Sequence, residues 1–499
     1  MTNYTKFKHL KIMKHKNFYF LLLIFLISAI NKFNLTNYEV LNNDDAFEYI
    51  VAYSPNFDWF MLIAQRSVGF SGLVFLLSKL GLSTKLIIFL SSTLWGILVP
   101  FIAYNYLIKR QVNLYVALFT AFLIGISPSL GIYSIHLKNY PLEAFAMVRV
   151  LSVYSFPRKK NILDNFEKIL WIFIVGAAII PIALLEIYSF IKSKNIKYFL
   201  TGLFVVILML YFIIIPALFD GGFIEFYQAS TFDLRGEFIN NGFLALMFLR
   251  SFYDGGFIAI FTILFFISLF TLVRDFTKNA IPLLSLSSFV LLFVLGIYPF
   301  GTLKGDVILT PLIFIIIAIG IDKVNLNKYI KNSILFFLLI TGMAAHLTAP
   351  LTAVQDSEES FKILQNDDSE FSLFVDLSYA SPTIVYLNER VEFYKPSDTY
   401  INAWGENYCL YGGKDEKTIF GSCLYQKKIP DIINQYIFKN NPETIYFLFE
   451  NQKLRFIYKE SESSITIDQL DVIMKSNNYV KDLFLEKTNS TLVKYNINN

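Results

Sequence analysis

The sequence predicts a mainly α-helical, polytopic membrane protein of about eleven spans with a small α/β domain at its C-terminal end. Three observations point there. The 499 residues are 55% hydrophobic and only 16% charged, with 52 Phe and 30 Tyr, which is too apolar for a water-soluble core. Apolar runs recur with small Lys/Arg clusters between them, so the net charge of +4 is spread along the chain. That pattern sets membrane topology and argues against nucleic-acid binding. The last 150 or so residues are far more polar, giving two zones, 1–349 and 350–499.

Five lysines between Lys6 and Lys16 precede the apolar run 18–30. No small-x-small cleavage site follows, so this reads as an uncleaved first span with a cytoplasmic N-terminus. The first outer loop is then 31–66. Its Phe57, Trp59 and Phe60 suit the membrane interface. The run 68–80 is too short to cross and is placed along the surface. Spans follow at 86–108, which ends at Lys109-Arg110, at 114–133, and at 141–156, which ends at Arg158-Lys159-Lys160. The stretch 171–191 has basic clusters on both sides, and one span cannot begin and end on the same face. A hairpin of two half-length helices broken at Pro181 resolves the conflict. The rival solution has 68–80 span the membrane and leaves two basic clusters outside; the hairpin is preferred because basic clusters are the better topology signal. Spans at 198–218, 257–273, 283–297, 307–321 and 334–347 complete the bundle, with an outer loop at 220–254. Arg274, Lys278, Lys323, Lys328 and Lys331 fall on the inner face.

From 350 onward, strands are expected at 383–387, 444–449 and 480–485, and helices at 430–438 and 467–474. Cys409 and Cys423 both lie in this zone. If the zone is exported they are expected to pair, and if cytosolic to stay thiols.

Three polar stretches reach the outer face in this topology. The first is Asn42-Asn43-Asp44-Asp45-Ala46-Phe47-Glu48, with three carboxylates in five residues. The second is His136-Leu137-Lys138-Asn139-Tyr140. The third is the turn from Tyr298 to Asp306, which holds Lys304. A carboxylate facing two cations at a membrane surface suits transfer of a group from a phosphate-linked lipid. The carboxylate takes a proton from an acceptor hydroxyl, and the cations balance charge growing on the departing phosphate. Plainer readings stand beside this one. Asp44 or Asp45 suits a helix N-cap, Lys138 and Lys304 suit snorkelling at span ends, Tyr140 and Tyr298 suit an interfacial belt, and His136 suits a surface position. Glu143, Arg149 and Glu186 lie in or near spans, where an ionisable group implies function or internal pairing. Glu143 and Arg149 do not share a helical face, so they are not expected to be partners.

The order of these stretches resembles the GT-C superfamily of polytopic glycosyltransferases, including protein O-mannosyltransferases and bacterial enzymes that move mannose or aminoarabinose from polyprenyl carriers. Asp44-Asp45 matches the acidic pair of that family's first outer loop. Ser127-Pro128-Ser129-Leu130-Gly131-Ile132-Tyr133-Ser134 leading to Lys138-Asn139-Tyr140 matches a second motif, with Lys in place of the usual Arg. Tyr298-Pro299-Phe300-Gly301, Lys304 and Thr310-Pro311 match a late turn, again with Lys for Arg. A further family run rich in His and Pro is replaced by Ser54-Pro55-Asn56-Phe57-Asp58-Trp59.

The resemblance implies an inverting glycosyltransferase in the inner membrane, with its C-terminal domain outside. Its donor would be a polyprenyl-phosphate sugar and its acceptor a hydroxyl of a glycan, lipid or protein. Asp44 would be the base and Asp45 its orienting partner. Glu48, His136, Lys138, Tyr140, Tyr298 and Lys304 would bind substrate. No cofactor is implied, and a few carboxylates alone do not argue for a metal. Competing readings are a flippase of lipid-linked sugars, which would show paired charges and broken helices near the midplane, a glycan-chain polymerase, and a non-catalytic assembly protein.

Overall fold

A computed structural model describes residues 19–20, 22–29, 45, 68–154, 162–175, 179–194, 258–294, 303–324, 327–348, 358–367, 372–375, 418–420, 441–450, 453–456, 463–487 and 490–498, with isolated positions elsewhere. The expected strand 383–387, the outer loop 220–254, Cys409 and Cys423 lie outside the described residues. The chain divides into two compact units, one of Met1–Asn37 and Ala64–Pro350, the other of Tyr38–Ile63 and Leu351–Asn499. The sequence-based partition kept all of 31–66 with the first unit, whereas 38–63 groups with the second.

The first unit is helical. Ile24, in the helical stretch 22–29, packs on Leu118 and Ala121, which makes this stretch part of the bundle. Helix α1 is Val68–Lys79, about 18 Å long and too short to cross alone. Helix α2, Thr84–Lys109, runs 26 residues, about 39 Å, more than the roughly 30 Å hydrocarbon layer. It contains a wide π turn at Phe89–Thr93. The stretch 114–133, expected as one span, is two helices, α3 (Leu114–Gly125) and α4 (Pro128–Ser134). The break falls where Pro128 takes the first position of α4, the one place a missing N–H costs nothing.

Helix α5 is Tyr140–Tyr154, α6 is Ile162–Ile174 and α7 is Ile179–Ser193. The expected hairpin is α6 with α7, but the break precedes Pro181, which sits in the first turn of α7. Lys168 of α6 pairs with Glu186 of α7. The two helices therefore lie against one another.

Helix α8 is Ile258–Arg274, α9 is Phe276–Val294, α10 is Leu303–Lys323 and α11 is Lys328–Thr348. Helix α9 starts before the expected 283 because Pro282 is carried inside it. Pro282 lacks the N–H that would reach the Lys278 carbonyl. That carbonyl instead accepts a 2.6 Å bond from Arg110 Nη1.

Several helices are inverted relative to a soluble protein. Helix α6 exposes Phe166, Ile169, Leu170 and Phe173 and buries Asp164 and Lys168. Helix α8 exposes Ile263, Phe266, Ile267 and Phe270 and buries Ser268. Such faces fit a hydrocarbon solvent. Every residue of α10 from 307 to 321 is buried, so this helix, apolar all round, is the axis of the bundle. At Gly320 a side chain would overlap Ser268 of α8, so the two backbones touch only because both residues are small.

The second unit is a mixed sheet with helices. Helix α12 is Glu358–Asn366 and α13 is Ile467–Ser476. The strands are β1 (Ser372–Val375), β2 (Thr418–Phe420), β3 (Thr444–Glu450), β4 (Lys453–Phe456), β5 (Ser463–Thr466), β6 (Tyr479–Glu486) and β7 (Ser490–Ile497). β1 lies parallel between β2 and β3, while β7 pairs antiparallel with both β3 and β6. The predicted strands 444–449 and 480–485 are β3 and β6, and the predicted helix 467–474 is α13. Thr466 and Gln469 cap α13 reciprocally. Phe374, Ile445, Phe447, Phe449, Leu470 and Val493 belong to one core on that side of the sheet.

Candidate functional site

Two opposite ends of the first unit are defined by side chains that cross between helices. At one end the turn joining α4 to α5 is held by hydroxyls of the π turn in α2. Ser92 Oγ donates to the carbonyls of Lys138 at 2.9 Å and Tyr133 at 3.3 Å. Thr93 Oγ1 donates to the Ser134 carbonyl at 2.6 Å. A regular α-helix would turn successive side chains 100° apart; the wider turn aims this adjacent pair at one loop. Such turns recur at functional sites.

That loop carries three of the sequence-predicted residues. Leu137 is fully buried and pins it, leaving His136, Lys138 and Tyr140 half-buried around it. The Lys138 N–H donates to the His136 carbonyl at 2.8 Å, so the two side chains flank one tight bend. The Tyr133 ring meets Tyr140 edge-on at 5.3 Å and lies 6.2 Å from the His136 ring. Asn139 opens α5 and donates to Glu143 Oε1 at 2.7 Å.

Helix α10 reaches the same end. Ser129 of α4 and Thr310 of α10 share a 3.2 Å hydroxyl contact. Lys304 lies six residues, about 9 Å along the axis, before Thr310 in that helix. The backbone of Lys304 therefore stands at the end that carries Lys138. Asp45 is helical and 2% exposed, and it belongs to the second unit. Asp44, Glu48 and Tyr298 lie outside the described residues.

The opposite end gathers the turns expected inside. Arg110 donates to the Lys278 carbonyl and to Asn279, Lys323 bonds Asp275 at 3.1 Å, and the Asn113 N–H bonds Asp322 at 3.2 Å. The hydrogen bond from Lys323, with its charge and that of Lys278, holds the Asp275 carboxyl below its usual range. Along α2 this end lies about 24 Å from Thr93.

Between the ends run charged contacts. Arg149 pairs with Glu167 at 2.9 Å, and Glu167 also accepts from Trp171 Nε1 at 3.2 Å. Glu143, Arg149 and Glu186 thus have the partners Asn139, Glu167 and Lys168, and Glu143 and Arg149 do not pair with each other. Sequence reasoning missed Ser92, Thr93 and Asn139 as supports; the run Ser91-Ser92-Thr93 inside an apolar span was their only signal. Among the described residues no three His, Cys, Asp or Glu side chains are grouped to hold a metal.

No family model matches the chain, and the search of curated proteins finds no match. Solved structures are similar. ArnT from Cupriavidus metallidurans in the apo state aligns with a TM-score of 0.56 at 10% identity, over 97% of this chain and 98% of that one. The same enzyme bound to undecaprenyl phosphate aligns at 0.50 and 12%, over 95% and 97%. The Archaeoglobus fulgidus oligosaccharyltransferase complex with Zn and sulfate aligns at 0.51 and 13%, over 95% of this chain and 72% of that one. These are polytopic GT-C proteins, and at such identities the likeness establishes the fold. The chain has that fold.

Proposed function

We propose that this GT-C-fold chain is an inverting glycosyltransferase that moves a sugar from a polyprenyl-phosphate donor to a hydroxyl of a glycan, lipid or protein. The observation that carries this reading is the meeting of the Tyr133–Tyr140 loop and the start of α10 at one end of the bundle, opposite the basic turns. Undecaprenyl phosphate in one ArnT structure supports the donor class. The basic end faces the cytoplasm, so the opposite end of the bundle, with the Tyr133–Tyr140 loop, faces outside the inner membrane.

Asp44 takes the proton of the acceptor hydroxyl, and Asp45 orients Asp44 or the acceptor. The acceptor oxygen attacks the anomeric carbon from the face opposite the donor phosphate. The carbon–oxygen bond to phosphate breaks, and the electron pair leaves on the lipid phosphate. Lys138 and Lys304 stabilise that charge, while Tyr140 and Tyr298 donate hydrogen bonds to it. His136 and Glu48 contact the sugar or acceptor. Lysine offers a point charge without the planar fork of arginine, so the phosphate is gripped through fewer fixed hydrogen bonds.

The test is Asp44→Asn in intact cells, with surface glycans and glycolipids profiled by mass spectrometry. Removing the base should slow transfer about 10²–10⁴-fold. Wild-type product at normal protein abundance would remove the assignment. A second reading, a flippase of lipid-linked sugars, is favoured by one observation, the buried Lys168–Glu186 pair on the broken α6–α7 hairpin. It predicts that Asp44→Asn leaves product unchanged while Lys168→Met combined with Glu186→Leu, at normal protein abundance, abolishes delivery of lipid-linked sugar to the outer leaflet.

A further inference from the structure

At the basic end of the first unit a cleft of about 550 Å³ opens between α8 and the end of α10. Its floor is Phe266, Ile267 and Phe270, and its rim holds Arg274 and Lys323. The floor residues are all exposed, Phe270 to 62%. They lie on the face of α8 that the bundle turns toward hydrocarbon. Arg274 stands 4.8 Å over the Phe270 ring, which holds the guanidinium at the mouth of the cleft. Among the described residues Arg274 has no carboxylate partner, whereas Lys323 bonds Asp275. Four cations, Arg110, Arg274, Lys278 and Lys323, face two carboxylates, Asp275 and Asp322, so this end carries an excess of positive charge.

We propose that this cleft binds an anionic phospholipid, its phosphate between Arg274 and Lys323 and its acyl chain over Phe270, Ile267 and Phe266. The occupant follows from the join of two surfaces. The eight helical steps from Phe266 to Arg274 give about 12 Å of apolar groove running straight into a cationic rim. A soluble phosphate would leave the aromatic floor bare, and a zwitterionic lipid would bring an ammonium beside its phosphate into a rim that is already cationic. A basic cleft between helices at the membrane surface suits a headgroup with its chain attached. This site lies at the other end of the bundle from the Tyr133–Tyr140 loop and is independent of the proposed sugar transfer.

The experiment uses the full chain purified in mild detergent, with native mass spectrometry of retained phosphatidylglycerol against phosphatidylcholine of the same acyl chains. Phosphatidylglycerol should be retained in preference. Arg274→Gln should cut that retention about fivefold, the factor one cation supplies near an anionic membrane surface. Asp275→Asn, which releases Lys323, should raise it by a similar factor, and it carries the test if Arg274→Gln folds poorly. Equal retention of the two lipids overturns the proposal. So does an Asp275→Asn chain that binds as wild type, or displacement of the lipid by equimolar glycerol 3-phosphate, which would make this a site for soluble phosphate.

Discussion

Helix α6 of the membrane unit turns Phe166, Ile169 and Phe173 outward and Lys168 inward, while the C-terminal unit buries Phe447 and Phe449 of strand β3 and leaves ion pairs such as Lys481–Asp471, between β6 and α13, near the surface. The same residue types are sorted in opposite directions. In water, apolar area is driven inward. Against lipid that drive vanishes, and what must be hidden is the charge. The two units are folded by different solvents, and equivalent substitutions should have unequal effects in them.

The largest expected effect sharpens this difference. Lys168→Met leaves Glu186 as a buried charge without its cation, which should destabilise the full chain by about 3–5 kcal/mol, read as thermal unfolding in detergent. Adding Glu186→Leu should recover most of the loss. A single mutant that melts like wild type would break the comparison.

Next comes a pair of phenylalanines. Phe447→Ala empties a core position and should cost about 3–5 kcal/mol, read as faster amide exchange along β3. Phe166→Ala, on the outward face of α6, should change stability by less than about 0.5 kcal/mol.

A smaller loss than that of Phe447→Ala is a pH dependence confined to the C-terminal unit. Burial pushes the Asp367 carboxyl up, but hydrogen bonds from Ser369, Tyr446 and Lys494 more than reverse this and hold it below the usual carboxylate range. A depressed folded value means the stability is fully present above the ordinary Asp value of about 3.9 and is lost as pH falls through it toward the lower folded value. Asp367→Asn should therefore speed β3 and β7 exchange at pH 6, by about 1.5–3 kcal/mol of opening energy. The gap from wild type should narrow below about pH 4.

The membrane unit was legible wherever charge alone decides. The clusters at Lys109-Arg110, Arg274/Lys278 and Lys323 marked turns that do meet at one end. The need for a hairpin at 171–191 followed from the same clusters, but the break was misplaced because proline is as welcome in a first turn as at a break. The split at Ser127-Pro128 was missed because both halves are apolar. In the sheet, β7 went unread: its Ser-Thr-Leu-Val start is buried on both faces and shows no alternation. At the candidate site, His136, Lys138 and Tyr140 were visible as a polar island between spans. The hydroxyls that hold them came from residues more than 40 positions away, a tertiary match that no local pattern encodes.

The wide turn at Phe89–Thr93 has a consequence for how this chain can change. One surplus residue absorbed there offsets the rotation of everything before it from everything after it. The rungs below, where Asn105 and Lys109 reach Ser152, keep their own angular phase. Loop chemistry at the upper end can therefore drift in evolution without rethreading the lower half of the helix.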